Sequence, residues 1–113
     1  MLNFYKLDGK LLFSNEELNL EKVGVGTVDA AKEKHVPHVE VNGKHVHVQV
    51  GEVVHPMLDA HFIEFILLET NKGLHQAILK PGMEPVADFM MQDDEELINV
   101  YEHCNLHGVW AIK

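Results

Sequence analysis

The chain has 113 residues, enough for one domain with a small core, and its composition is that of a globular protein. It carries nine lysines, no arginine and 18 acidic residues, so its formal net charge is −9. This balance argues against nucleic-acid binding, which needs a basic surface, and against a polybasic membrane anchor.

Nothing in the chain resembles a targeting or membrane-spanning segment. The first nine residues lack the apolar core of a signal peptide, and no stretch approaches the roughly 20 apolar residues of a membrane span. The single cysteine, Cys104, excludes an internal disulfide and fits a reducing compartment. We therefore expect a cytoplasmic protein without a membrane partner.

The N-terminal quarter of the chain combines short extended segments with a linker. Residues 1–19 predict a small hairpin or extended arm around the turn signal Asp8-Gly9. Residues 16–26 are acidic and then rich in glycine, which is typical of a linker. Residues 27–34 predict one or two helical turns, capped by Thr27 or Asp29.

The rest of the chain has the pattern of β-strands. Asn42-Gly43 lies between two strand-like runs and is the strongest short hairpin signal in the sequence. In the second of these runs, three valines alternate with His45, His47 and Gln49, as expected for a half-solvated strand. The predicted strands cover residues 39–41, 44–50, 61–70, 74–79, 86–91, 97–103 and 109–112.

These segments predict an all-β fold. About seven short strands, separated by turn signals every 8–12 residues, favour an immunoglobulin-like antiparallel β-sandwich. We expect residues 1–20 to form a short N-terminal arm and residues 21–113 to form the sandwich domain.

Several histidines lie beside turns or prolines and could meet at one site. His35 and His55 lie close to or next to a proline, His61 follows six residues after His55, and Cys104 and His107 share a glycine-closed loop. Imidazole and thiolate are good ligands for transition metals. Each residue alone is also compatible with an ordinary role, such as a solvated imidazole or an inert buried thiol.

The segments around these residues resemble the motifs of one enzyme family. Glu33-Lys34-His35-Val36-Pro37, His55-Pro56-Met57 with His61-Phe62-Ile63-Glu64-Phe65, and Cys104-Asn105-Leu106-His107-Gly108-Val109-Trp110 are similar to the three motifs of superoxide reductases. This family comprises the neelaredoxins and the catalytic domains of desulfoferrodoxins. The resemblance extends from about residue 21 to residue 112.

The resemblance implies one mononuclear non-haem iron, and the family fold is an immunoglobulin-like sandwich. His35, His55, His61 and His107 would be its equatorial ligands and Cys104 its axial thiolate. Glu33 would occupy the sixth position in the ferric resting state, and Lys34 would be a cation beside that position. The implied reaction is the one-electron reduction of superoxide to hydrogen peroxide.

The resemblance also indicates what the chain would need from outside. Two-iron desulfoferrodoxins begin with a module that holds a second iron through four cysteines, and this chain has a single cysteine. We therefore expect no four-cysteine iron centre and an external electron donor such as rubredoxin. The family forms dimers and tetramers, which implies a homo-oligomer.

Three other interpretations remain open at this point. The same iron could catalyse dismutation of superoxide, or the site could belong to a non-catalytic electron carrier or redox sensor. A blue-copper site would use two histidines, one cysteine and a weak axial methionine, fewer histidines than this chain offers.

Among the remaining histidines, we interpret His45 and His47 as a solvated sheet face with the capacity to bind adventitious metal. His38, His75 and His103 have no predicted catalytic role.

Overall fold

The computed structural model describes residues 2–113, so that Met1 of the predicted arm lies outside the described residues. It contains ten strands and one helical turn: β1 (Asn3–Leu7), β2 (Lys10–Ser14), β3 (Glu21–Val23), α1 (Lys32–His35), β4 (Pro37–Asn42), β5 (His45–Val50), β6 (Ile63–Thr70), β7 (Gly73–Ile78), β8 (Val86–Met90), β9 (Leu97–Cys104) and β10 (Gly108–Ala111). Within residues 2–113, no helix is long and apolar enough to cross a membrane.

The strands form three antiparallel sheets. Their orders are β2-β1-β3, β10-β9-β6-β7 and β4-β5-β8. The last two contain seven strands and face each other across a core, which confirms the predicted immunoglobulin-like antiparallel sandwich. Each predicted strand is present, and no end differs from the prediction by more than two residues.

The N-terminal sheet covers the outer face of the four-stranded sheet. Phe4 of β1 packs with Leu67 of β6 and Tyr101 of β9 in a second apolar cluster. Because Ile66 and Leu68 point into the sandwich core while Leu67 points into this cluster, β6 is buried on both faces. That position explains why β6 is a nearly continuous apolar run rather than an alternating one.

The structure corrects two local predictions in the N-terminal quarter: the linker, and the position and cap of the helical turn. The predicted linker over residues 16–26 contains β3, which follows the predicted boundary at residue 20 and pairs with β1. This short strand is held by hydrogen bonds to β1, so the pattern of its own three residues does not predict it. The predicted helix over residues 27–34 is the single turn α1, whose N-cap is Ala31 with no side-chain cap, rather than Thr27 or Asp29.

The Asn42-Gly43 hairpin is confirmed. β4 and β5 pair from Pro37 opposite Val50 to Asn42 opposite His45, and Gly43 has a φ of 63°. Glycine adopts this left-handed conformation without the steric cost that a β-carbon would impose. The hairpin places the end of β5 beside the start of β4, where α1 also ends.

Candidate metal centre

The five predicted ligand residues lie at strand ends or in the connections between strands. His35 ends α1, and Cys104 ends β9. His55 and His61 lie in the connection from β5 to β6, and His107 lies in the turn from β9 to β10. The antiparallel pairing of β4 with β5 and of β6 with β9 brings these segments to one place.

The structure brings one donor atom of each of these residues into a single cluster. The four imidazole nitrogens and the thiol sulfur all lie within 4.8 Å of one another. His35 Nε2 is 3.1 Å from His107 Nδ1 and 3.2 Å from His55 Nε2. Neighbouring nitrogens around a first-row metal ion, with bonds of about 2.1 Å at right angles, are separated by about 3 Å. The spacing therefore matches that of adjacent ligands on one ion.

The four imidazole groups surround a common centre, each next to two others. Their centroids are separated by 4.7 Å between His35 and His55 and by 4.6 Å between His55 and His61. The circuit continues with 5.0 Å from His61 to His107 and 4.9 Å from His107 back to His35. Each neighbouring pair is close to perpendicular, with interplanar angles of 77–89°. Edge-on rings of this kind direct nitrogen atoms toward a common centre rather than stacking on one another.

Backbone carbonyl groups determine which ring nitrogens carry a proton. His35 Nδ1 lies 2.7 Å from the Ala31 carbonyl oxygen, and His55 Nδ1 lies 2.7 Å from that of Pro56. A carbonyl oxygen only accepts, so each Nδ1 must donate, and the Nε2 of a neutral ring is left with a lone pair. The two Nε2 atoms, 3.2 Å apart, therefore face each other without a proton between them.

One further nitrogen in the cluster is buried without a partner. His61 Nε2 has no hydrogen-bond partner among the described residues. Burying a polar atom without a hydrogen bond costs free energy. A cation bound between the rings would satisfy this nitrogen and the facing lone pairs of His35 and His55 together.

Three histidines of the cluster have lowered pKa values, which favour the neutral form that metal ions bind. Burial is the main cause of the lowered pKa values of His35, His55 and His61, and the pKa of His55 falls to about 4. The charge of His107 lowers these pKa values further, and that of Lys34 acts on His35 and His61. Neutral imidazoles need not lose a proton to bind a cation at neutral pH.

Cys104 supplies the only sulfur of the cluster. Its Sγ is fully buried, 3.5 Å from His55 Nε2 and 3.8 Å from His107 Nδ1. Burial raises the pKa of the thiol, and backbone N–H groups of Leu106 and His107 act in the opposite direction. The Asn105 N–H donates instead to the Phe62 carbonyl oxygen.

This donor set fits a mononuclear iron. Imidazole nitrogen suits iron, copper, zinc and nickel, and thiolate adds a soft, electron-rich ligand. A positive charge at the centre of the cluster would satisfy the facing lone pairs and the unpartnered His61 Nε2 together. The group contains no acidic ligand among the described residues.

Glu33 and Lys34, the two predicted catalytic residues, lie on α1 immediately before His35. Both are exposed, and the Glu33 carboxylate is outside the cluster of five donor atoms. The Glu33 carbonyl oxygen accepts a hydrogen bond from Val53, which ties α1 to the connection after β5. The ammonium group of Lys34 is close enough to lower the pKa values of His35 and His61.

Gly51 allows α1 to approach the end of β5. A β-carbon at this position would come within 2.7 Å of the Glu33 carbonyl oxygen and 2.9 Å of the Val36 carbonyl oxygen. Both neighbours are backbone atoms, so a side chain here would push α1 away. The position of His35 in the cluster therefore depends on the absence of a side chain at residue 51.

Sequence reasoning missed one residue near the cluster. Glu102 is completely buried on β9, and neither of its carboxylate oxygens has a partner among the described residues. Burial raises its pKa well above the usual range, which favours the protonated carboxyl group. A signal was available, because strand alternation places residue 102 on the same side of β9 as Cys104.

Trp110 contacts two residues of the cluster. Its ring lies 5.3 Å from that of His35, and its Nε1 donates to the His107 carbonyl oxygen at 3.0 Å. The side chain is 97% buried, since only 3% of its surface is exposed. This buried side chain thus contacts both His35 and the turn that carries His107.

The five other histidines all lie near carboxylate groups. The pairs are His38 with Glu40, His45 and His47 with Asp88, His75 with Glu95, and His103 with Glu64. These histidines are outside the five-atom cluster. The nine histidines therefore fall into two sets. Four form a cluster without a carboxylate, and the other five are paired with acidic residues.

Comparison with known proteins identifies similar sequences along most of the chain. The family model for desulfoferrodoxin matches residues 27–113. A desulfoferrodoxin of Clostridium acetobutylicum is 45% identical over 91 residues, which cover 80% of this chain and 70% of that protein. A desulfoferrodoxin of Nitratidesulfovibrio vulgaris is 42% identical over 102 residues, covering 90% of this chain and 78% of that protein.

Solved structures show the same relationship. The crystal structure of the superoxide reductase from Treponema pallidum superposes with a TM-score of 0.88 at 41% identity, covering 100% of this chain and 99% of that one. The superoxide reductase of Giardia intestinalis gives a TM-score of 0.61 at 36% identity, covering 71% of this chain and 95% of that one. The first of these matches includes the N-terminal sheet as well as the sandwich.

Proposed function

Because this chain belongs to the desulfoferrodoxin family, we propose that it is a superoxide reductase with one mononuclear iron. The observation that carries the proposal is the convergence of four imidazole nitrogens and one thiol sulfur within 4.8 Å. In the reaction, superoxide takes up one electron and two protons and becomes hydrogen peroxide. When bound, the iron supplies that electron.

The ligands in this proposal are the five residues of the cluster. His35, His55, His61 and His107 hold the iron through neutral imidazoles, and Cys104 holds it through a thiolate. The hydrogen bonds from His35 and His55 to backbone carbonyls support this assignment, since they keep Nε2 free of a proton. A sulfur ligand donates electron density and favours release of an electron from the metal.

Glu33 and Lys34 have separate roles in the proposal. Superoxide is an anion, and the net charge of −9 opposes its approach to the protein. Lys34 reverses the sign of the potential locally, as its effect on His35 and His61 supports. Glu33 would act later: its carboxylate, which lies outside the group of five donor atoms, would bind the iron in its ferric state.

The electrons come from a second protein in this proposal. A rubredoxin or a similar small carrier would reduce the iron after each turnover, because the chain has no cysteines for a second iron centre. We further propose that the protein works in the cytoplasm as a dimer or tetramer. The single free thiol, buried at residue 104, supports a reducing environment.

The test is metal analysis of anaerobically purified protein, followed by rapid mixing with superoxide and counting of products. We expect about one iron per chain, oxidation of the iron by superoxide, hydrogen peroxide as product and no release of oxygen. Release of oxygen would identify dismutation instead. Zinc or copper at full occupancy, or ferrous iron that superoxide does not oxidise, would contradict the proposal.

A matched control is available in His38→Gln. His38 is exposed on β4 and lies outside the cluster, so this variant should keep both the iron content and the turnover of the unmodified protein. His55→Gln should lose iron, because it removes a fully buried nitrogen from the cluster.

A further inference from the structure

A second group of metal-binding side chains lies on the outer face of the β4-β5-β8 sheet. Strand alternation turns Val46 and Val48 into the core and leaves His45 and His47 on the outer face. On the neighbouring strand β8, Asp88 stands opposite His47 in the register. The three side chains are 44%, 37% and 55% exposed, so solvent ions can reach all of them.

Both imidazoles converge on one oxygen of Asp88. His45 Nε2 lies 2.8 Å from Asp88 Oδ1, and His47 Nδ1 lies 2.7 Å from the same atom. Hydrogen bonds from His47 and His45 hold the pKa of Asp88 below its usual value. At neutral pH the group therefore presents one carboxylate between two imidazoles.

This arrangement differs from that of an ordinary ion pair. Asp88 Oδ1 can accept both hydrogen bonds, and the same three atoms could instead each donate an electron pair to one cation in place of the two protons. Glu40, opposite His47 on the other neighbouring strand, adds a second negative charge to the same row of the sheet. The net charge of −9 also favours cation binding on this surface.

We propose that His45, His47 and Asp88 form a second, solvent-exposed site for a divalent transition-metal ion. Two imidazole nitrogens and a carboxylate oxygen suit Zn²⁺, Ni²⁺ and Cu²⁺, with water completing the coordination. The site has no thiolate and no buried donor, so it should not select iron. The proposal depends only on this surface and is independent of the superoxide reductase assignment.

The experiment is calorimetric titration of Zn²⁺ into the protein as purified, with its iron content measured before and after. We expect one additional Zn²⁺ per chain and no loss of iron. His47→Gln and Asp88→Asn should each weaken Zn²⁺ binding by roughly 10- to 100-fold, because each removes one of three ligands. Both side chains are exposed, so neither change should disturb the core.

His38→Gln is the matched control for this titration. His38 is an exposed histidine on the same face of β4, but its partner is Glu40 at 3.9 Å, and it does not contact Asp88. It should bind Zn²⁺ like the unmodified protein. Zn²⁺ binding that is unchanged in both His47→Gln and Asp88→Asn, or equally weakened by all three changes, would overturn the proposal.

Discussion

The two groups of histidines show how surroundings decide what the same side chain does. In the buried cluster of His35, His55, His61, His107 and Cys104, backbone carbonyls fix the ring tautomers and no acid is present. On the outer sheet face, His45 and His47 instead share the carboxylate of Asp88. The donor nitrogens of the buried cluster face one another and the Cys104 sulfur, so one metal ion would satisfy all of them. The exposed ones already have a carboxylate and water, so an ion must compete with both.

We expect the largest effect from replacing Cys104, the sulfur donor of the buried cluster. A serine hydroxyl does not ionise near neutral pH, so Cys104→Ser removes the electron-donating ligand while nearly preserving side-chain volume. We expect loss of the thiolate-to-iron absorption and a turnover lower by at least roughly 100-fold, since even changes around metal ligands cost 10- to 100-fold. Absorption like that of the unmodified protein would show that Cys104 is not a ligand.

The charge beside the cluster is tested by Lys34→Ala. The second-order rate with superoxide should fall by roughly 10-fold at low ionic strength, because the local attraction for the anion is lost. Added salt should reduce the difference, since it screens exposed charges. Rapid mixing over a series of salt concentrations measures both effects.

Lys32→Ala is the control for that change. Lys32 lies on the same helical turn, carries the same charge and is also exposed. Residues two apart on a helix do not share a face, so its loss should slow the reaction less. Equal slowing by both variants would assign the effect to net charge rather than to Lys34.

The buried nitrogen of His61 that has no hydrogen-bond partner allows a prediction about stability. His61→Leu removes the buried Nε2 that has no hydrogen-bond partner. The metal-free variant should gain about 1 kcal/mol in its free energy of unfolding, as when an unpaired buried polar group is removed, while metal binding weakens. Chemical denaturation of the metal-free proteins measures the gain.

His38→Leu provides the comparison, because this exposed histidine has no buried unpaired atom to lose. Its free energy of unfolding should remain within about 0.5 kcal/mol of the unmodified value. A stability loss in His61→Leu would show that the metal-free cluster does not carry the cost inferred from its geometry.

The smallest expected effect concerns Glu95, the acidic partner of His75. Glu95 accepts hydrogen bonds from Thr70, Gln92 and His75, which lower its pKa to about 2 from a usual value of 4.5. Because the folded pKa lies below the unfolded one, this stabilisation is present above pH 4.5 and is lost as the pH falls toward 2. Glu95→Gln should therefore be less stable than the unmodified protein at pH 7 and approach it near pH 2.

Thermal unfolding across this pH range measures the difference. Glu96→Gln is a suitable control, since Glu96 is adjacent and exposed. The stability of this control should depend on pH as that of the unmodified protein does. If the Glu95→Gln variant instead differs from the unmodified protein in stability by the same amount at all pH values, the charge of Glu95 has no role.

Much of the sandwich was predictable because strand patterns are local. Alternating valine and histidine in β5 predicted which side chains face the core, and Asn42-Gly43 predicted the hairpin that joins it to β4. The motifs around His35, His55 and Cys104 likewise predicted the residues that the structure brings together. In each case, the residue types themselves carry the preference for an extended chain, a tight turn or a metal.

The remaining features depend on contacts between distant segments. β3 exists because β1 offers it hydrogen bonds, and β6 is apolar on both sides because a third sheet covers it. The tautomers of His35 and His55 depend on carbonyl groups whose positions follow from the fold. The sequence by itself determined which side chains could bind a metal. Only the tertiary structure decided which nitrogens lose their proton and face one another, because burial and hydrogen bonding are properties of the assembled chain.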